Sequence, residues 1–127
     1  MGYRSDVGLA LTKKGVETLN AKLAEESVSE ELRASVKKLL SHADEHYSDA
    51  ASGAEVWYWE WIKWYGGHVL ACPQISFIED TISEIGDENY YFIRIGEGND
   101  DTEVRGCFWD NPFEMYLTRG INFRPAA

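Results

Sequence analysis

Cysteine is scarce in this sequence: Cys72 and Cys107 lie far apart, and neither has a second thiol nearby. That excludes a dense disulfide framework and a zinc ribbon, and it points to free thiols in a reducing compartment. Long apolar runs are missing too. No stretch approaches the roughly 20 residues that span a bilayer, and Met1-Gly2-Tyr3-Arg4-Ser5-Asp6 lacks the apolar centre of a signal peptide. Gly2 followed by Asp6 does not match the myristoylation pattern. The expectation is a soluble cytoplasmic protein with no membrane partner. Basic residues are also few, 12 against 22 acidic, for a net charge of -10. Such a surface repels phosphate backbones, so direct nucleic-acid binding is disfavoured. There is no Gly-rich phosphate loop, no Gly-x-Ser-x-Gly elbow and no His placed beside a cysteine as a nucleophile pair. No catalytic residue and no cofactor is therefore assigned, and an enzyme is the less favoured class. Cys72, just before Pro73, is the one candidate nucleophile, because a helix N-terminus lowers a thiol pKa; packing is its favoured role.

What the chain does have is aromatic mass. Of 127 residues 13% are aromatic and 44% hydrophobic, enough for one packed domain over 1–127. Four of the five tryptophans fall within residues 56–65, read Val-Trp-Tyr-Trp-Glu-Trp-Ile-Lys-Trp-Tyr. With no Gly or Pro inside, this run predicts a strand with two aromatic faces. Val56, Tyr58, Glu60, Ile62 and Trp64 share one face; Trp57, Trp59, Trp61, Lys63 and Tyr65 share the other. Both faces need cover or a partner.

Around this run the pattern is regular. Residues 5–11 alternate as a strand, with Val7, Leu9 and Leu11 opposite Gly8 and Ala10. Thr12 reads as an N-cap, and Val16, Leu19 and Leu23 form a helical stripe. Ser27 with Glu30 reads as a capping box ahead of a second helix whose stripe is Leu32, Val36, Leu39 and Leu40, leaving Arg33, Lys37 and Lys38 to solvent. That helix fades over residues 42–47. Pro73 opens a third helix with Ile75, Ile78, Ile82 and Ile85 buried and Gly86 closing it. Strands follow over 89–95 and 102–109, joined by an acidic turn, and an extended piece over 113–118.

The order β-α-α-β-α-β-β-β predicts an α+β fold, an antiparallel or mixed sheet with helices packed on one face. Three helices cover one side of the aromatic strand. The other side is covered by the chain itself or a second copy, the favoured reading, or stands open as a contact patch.

Gly2-Tyr3-Arg4-Ser5-Asp6-Val7, Trp61-Ile62-Lys63-Trp64-Tyr65 and Phe92-Ile93-Arg94-Ile95-Gly96-Glu97 resemble, in that order, strings found in small uncharacterised proteins of bacteriophages and prophages. The resemblance spans most of the chain but leaves out its N-terminal helical pair. It implies a phage-derived protein of the host cytoplasm and brings no activity or site residues with it.

Three constellations are candidates for function. From Gly66 onward there are 11 acidic and 4 basic residues. Asp87, Glu88, Glu97, Asp100, Asp101 and Glu103 are read as an acidic edge. Carboxylates on a sheet edge imitate a phosphate array, so the expectation is an interaction module that docks on a basic host protein, as an inhibitor of a nucleic-acid-binding or defence protein. The alternative is a nucleotide-sequestering protein, with Tyr58, Trp59, Trp61 and Trp64 stacking on a base and Arg94 or Arg105 on a phosphate; if the outer face is open, Trp57, Trp59, Trp61 and Tyr65 are its contact residues. A homodimer is a further possible partner arrangement. The metal reading is disfavoured: His42 and His46, with Asp44, Glu45 and His68, depart from the His-Glu-x-x-His order, and the acidic turn lacks the ligand spacing of a calcium loop. A solvated helix end and a plain hairpin turn account for them.

Overall fold

The computed structural model describes residues 3–65, 72–98 and 100–118. Its centre is β1 (Ser5–Leu11), flanked by β3 (Glu55–Ile62) on one side and β4 (Tyr90–Gly96) on the other. The two edges are β2 (Glu45–Ser48) and β5 (Thr102–Gly106), giving the order β2-β3-β1-β4-β5 with every neighbouring pair antiparallel. Three helices complete the α+β architecture: α1 (Lys13–Leu23), α2 (Glu30–Ser41) and α3 (Pro73–Glu84).

The apolar periods decide which way each element faces. Val7, Leu9 and Leu11 of β1 lie beside Trp59, Trp57, Phe92 and Tyr90 of the neighbouring strands, and this face packs against Leu19, Leu23, Val36, Ile75, Ile78, Ile82 and Ile85 of the helical layer. Thr12 caps α1 as expected, accepting from the Gly15 N–H at 3.2 Å. α2 starts later than the sequence pattern implies. Its cap is Ser29, whose Oγ accepts from Leu32 N at 3.0 Å, with Glu30 and Glu31 in the first turn where the helix dipole favours them. Arg33, expected in solvent, instead donates to the carbonyls of Leu23 at 2.6 Å, Glu25 at 3.1 Å and Val28 at 3.2 Å, so it ties the end of α1 to α2.

The opposite face of the sheet is covered by the chain itself. Residues 113–118, expected as a last extended piece, form no ladder. Phe108, Phe113, Met115 and Leu117 lie across Ala10, Val56, Tyr91 and Ile93. Asn111 fixes this segment: its carbonyl oxygen accepts from Met115 N at 2.8 Å, and its amide donates to Phe108 O and Met115 O at 3.1 and 3.2 Å. Gly8 leaves the notch that Met115 enters, since a Cβ there would stand 2.8 Å from the Met115 sulfur. A second difference is β2. Its four exposed residues carry no alternation, and it forms only because β3 offers an edge.

Candidate functional site

The aromatic strand changes character halfway along. Val7 pairs with Trp59 and Ser5 with Ile62, so Glu60 and Trp61 together stand opposite Asp6, a β-bulge. Trp61 takes a left-handed backbone, φ 57°, a conformation that costs a non-glycine residue about 1–2 kcal/mol. Three side chains hold it. Asp6 Oδ1 accepts from Trp61 N at 2.9 Å, Arg4 donates to Trp61 O at 3.1 Å, and Asp44 Oδ2 accepts from Glu60 N at 2.6 Å.

The bulge shifts the phase of the side chains. Trp57 and Trp59, 5% and 2% exposed, belong to the helix-side core, while Trp61 is 57% exposed. Beyond it, Ile62 and Trp64 return to that core. Trp59 donates its indole N–H to Leu39 O at 2.9 Å, and Trp64 donates to Glu79 Oε2 at 3.1 Å, so both buried indoles are satisfied. Trp57, Trp59, Trp61 and Tyr65 therefore do not make one open contact face. Trp57 and Trp59 are core, Tyr65 is half-buried, and Trp61 is the residue of the four left open.

Trp61 stands at a cleft of about 540 Å³, lined also by Trp59, Glu60 and Ile62 of β3 and by Arg4. Ser35, Lys38, Leu39 and His42 of the α2 segment, Asp44, and Gln74 of the first turn of α3 complete its lining. The cleft mixes two indoles, Trp59 and Trp61, with the basic side chains of Arg4 and Lys38 and the carboxylates of Asp44 and Glu60. Asp44 is occupied by the Glu60 N–H and Arg4 by the Trp61 carbonyl. Among the described residues Lys38 has no acidic side chain within ion-pair distance.

The six acidic residues fall into two groups. Asp87 and Glu88 lie in the short turn Asp87–Asn89 before β4, and Glu97, Asp100, Asp101 and Glu103 lie around the turn after it. The seven residues of β4 separate the two groups, roughly 20 Å at strand rise. The second group is also partly neutralised within the chain. Arg94 donates to both oxygens of Asp101, at 3.0 and 2.7 Å, and to Glu103 at 3.1 Å. Tyr3 donates to Asp101 at 2.6 Å and accepts from Gly98 N at 2.7 Å, while Glu97 accepts from Arg4 N at 2.8 Å. The Arg94 guanidinium first, then the Tyr3 hydroxyl, hold the Asp101 carboxyl down to about 2, against an ordinary 3.8.

Arg94 and Arg105, read as phosphate contacts, both have partners within the chain. Arg94 is engaged with two carboxylates and Ser5, and Arg105 donates to Ser83 at 2.9 Å with its guanidinium 5.9 Å from the Phe92 ring. His42 closes α2, whereas His46 sits on β2, stacked on Trp57 at 4.9 Å and bonded to Glu55 at 2.7 Å. Among the described residues no group of three His, Cys, Asp or Glu side chains is placed to hold a metal ion; His68 lies outside them. Cys72 is half-buried and packed against the helix-side core. Arg4, Asp6, Lys38 and Gln74 were not singled out by sequence reasoning, because only the folded chain brings their segments to Trp61.

No family model matches the chain, and searches of curated proteins and of solved structures return no match.

Proposed function

We propose that this protein binds a small anionic molecule with a planar ring, of the nucleotide class, in the cleft beside Trp61. The observation that carries this reading is Trp61 itself: an exposed indole held in a costly backbone conformation by Asp6 and Arg4 at the rim of a cleft. Strain of this kind persists where surrounding contacts over-determine it, and it clusters at binding sites. The planar ring would stack on Trp61, and Lys38 with His42 would meet the anionic group. Glu60 would accept from a hydroxyl or an amino group of the ligand. A protein that binds and holds nucleotides without transforming them fits this arrangement, and an origin in a bacteriophage or prophage, in the host cytoplasm, is part of the same proposal.

Fluorescence titration with adenosine, AMP, ATP and inorganic phosphate tests it. The expected result is a saturable change with a nucleotide that falls at least tenfold in affinity in Lys38→Ala and disappears in Trp61→Phe, while Trp109→Phe still responds. No response up to millimolar ligand, or an unaltered response in Trp61→Phe, overturns it.

A second reading is docking on a basic host protein, including one that handles nucleic acid or takes part in defence. The net charge of -10 supports it. The division of the six carboxylates between two ends of β4 weighs against a single phosphate-like array. A complex insensitive to salt would contradict this second reading.

A further inference from the structure

Among the described residues β2 and β5 are the two edges of the sheet, and they differ in what a second strand would meet. At β5 the hairpin is closed by Gly96 N donating to Asp101 O at 2.8 Å. Antiparallel alternation then makes Arg94 with Glu103, and Phe92 with Arg105, the pairs that exchange backbone bonds. Val104 falls between them. Its N–H and C=O point away from β4, and among the described residues no strand lies on that side.

The side chains of β5 are self-complementary about the same residue. Its sequence is Thr-Glu-Val-Arg-Gly. When such a strand runs antiparallel to a copy of itself with Val104 at the centre, Glu103 stands opposite Arg105, Arg105 opposite Glu103 and Thr102 opposite Gly106. The two charge pairs occupy the non-hydrogen-bonded positions, where Cα atoms are closest, about 4.5 Å, and side chains interact most. Val104, 45% exposed, would meet its counterpart on the face where its own neighbour Ile93 is buried. Charged residues on an edge strand usually prevent pairing; here their signs alternate about a centre of symmetry, which selects one register. β2 has no such pattern. Asp44, Glu45 and Asp49 flank or belong to it, so a second copy would bring like charges together.

We propose that two copies of this chain associate isologously through β5, antiparallel and centred on Val104, to make one continuous sheet of ten strands across a two-fold axis. The pairing is weak and concentration-dependent, because a five-residue strand buries little surface. It is independent of the Trp61 cleft, which β1 and β4 separate from β5.

Light scattering on the 127-residue chain over a graded concentration series tests this, together with Val104→Pro and Val104→Cys. Proline at this outward position removes the central donor and leaves the β4 ladder bonds in place. The expected result is a mass that rises toward the dimer with concentration, and a dissociation constant at least tenfold larger in Val104→Pro that still melts cooperatively. Should that variant fail to fold, Val104→Cys decides. Opposed residues in a hydrogen-bonded pair have Cα atoms about 5.5 Å apart, within disulfide reach. Mild oxidation should therefore give a covalent dimer with Val104→Cys and none with the unsubstituted chain. A monomer mass at every concentration, a dimer undisturbed in folded Val104→Pro, or no cross-link with Val104→Cys overturns the proposal.

Discussion

Trp59 and Trp61 are two residues apart on one strand, and strict alternation would give them the same surroundings. One is 2% exposed and bonded to α2; the other is 57% exposed at the rim of a cleft. The difference comes from one extra residue in the ladder, fixed by Asp6, Arg4 and Asp44 through backbone bonds to Glu60 and Trp61. An aromatic run is thus divided by its backbone, with the lower half serving as core and Trp61 serving as surface. The lesson is that a repeated residue type need not carry a repeated role.

The comparison can be broken most strongly at Trp59. Trp59→Ala should cost about 3–5 kcal/mol in urea unfolding, the usual penalty for emptying an aromatic core site. Asp6→Ala comes next. It leaves the Trp61 N–H without its charged acceptor, and a loss of about 1–3 kcal/mol is expected, with the bulge becoming free to slip. A slipped register would show as altered amide exchange across β1 and β3 with β4 and β5 unchanged. Trp61→Gly should act in the opposite direction. Glycine accepts φ 57° without penalty, so stability should stay level or rise by up to about 1 kcal/mol while any nucleotide response is lost.

The mildest test uses pH. Asp101 is held down to about 2 from 3.8 by Arg94 and Tyr3, so its folded pKa is depressed. Its contribution to stability is complete above the ordinary value and is lost as pH falls from about 4 through about 2. Thermal melts across that window should show a steeper decline in the natural chain than in Asp101→Asn. Because Tyr3 adjoins Arg4, acrylamide quenching of Trp61 should rise over the same interval while Trp59 stays shielded.

Much of the fold is legible in the sequence wherever a period repeats. Ile75, Ile78, Ile82 and Ile85 announce α3 and its buried face, Thr12 announces the start of α1, and Val7, Leu9 and Leu11 separate correctly from Gly8 and Ala10. Short signals are ambiguous: Ser27 and Ser29 both precede the second helix, and local hydrogen bonding selects Ser29. Cover of the second sheet face is hidden because Phe108, Phe113, Met115 and Leu117 follow no period and depend on Asn111 to hold their course. The site is the least legible part. Nothing in Trp-Glu-Trp-Ile marks a bulge, since no glycine stands at the left-handed position. The acidic residues show the same gap between sequence and space: Asp87 and Asp101 are close in the chain, and β4 sets them near its two ends.

The central claim is that the bulge presents Trp61 to a ligand in the cleft. Nuclear magnetic resonance of the five indole N–H groups and the arginine side chains during an AMP or ATP titration tests it most directly. The account predicts saturable shifts at Trp61 and Arg4, a smaller one at Trp59 in the cleft wall, and none at Trp109 or Arg105. Indole signals that stay still to millimolar nucleotide, or that move at Trp109 and Arg105 while Trp61 does not, would contradict it.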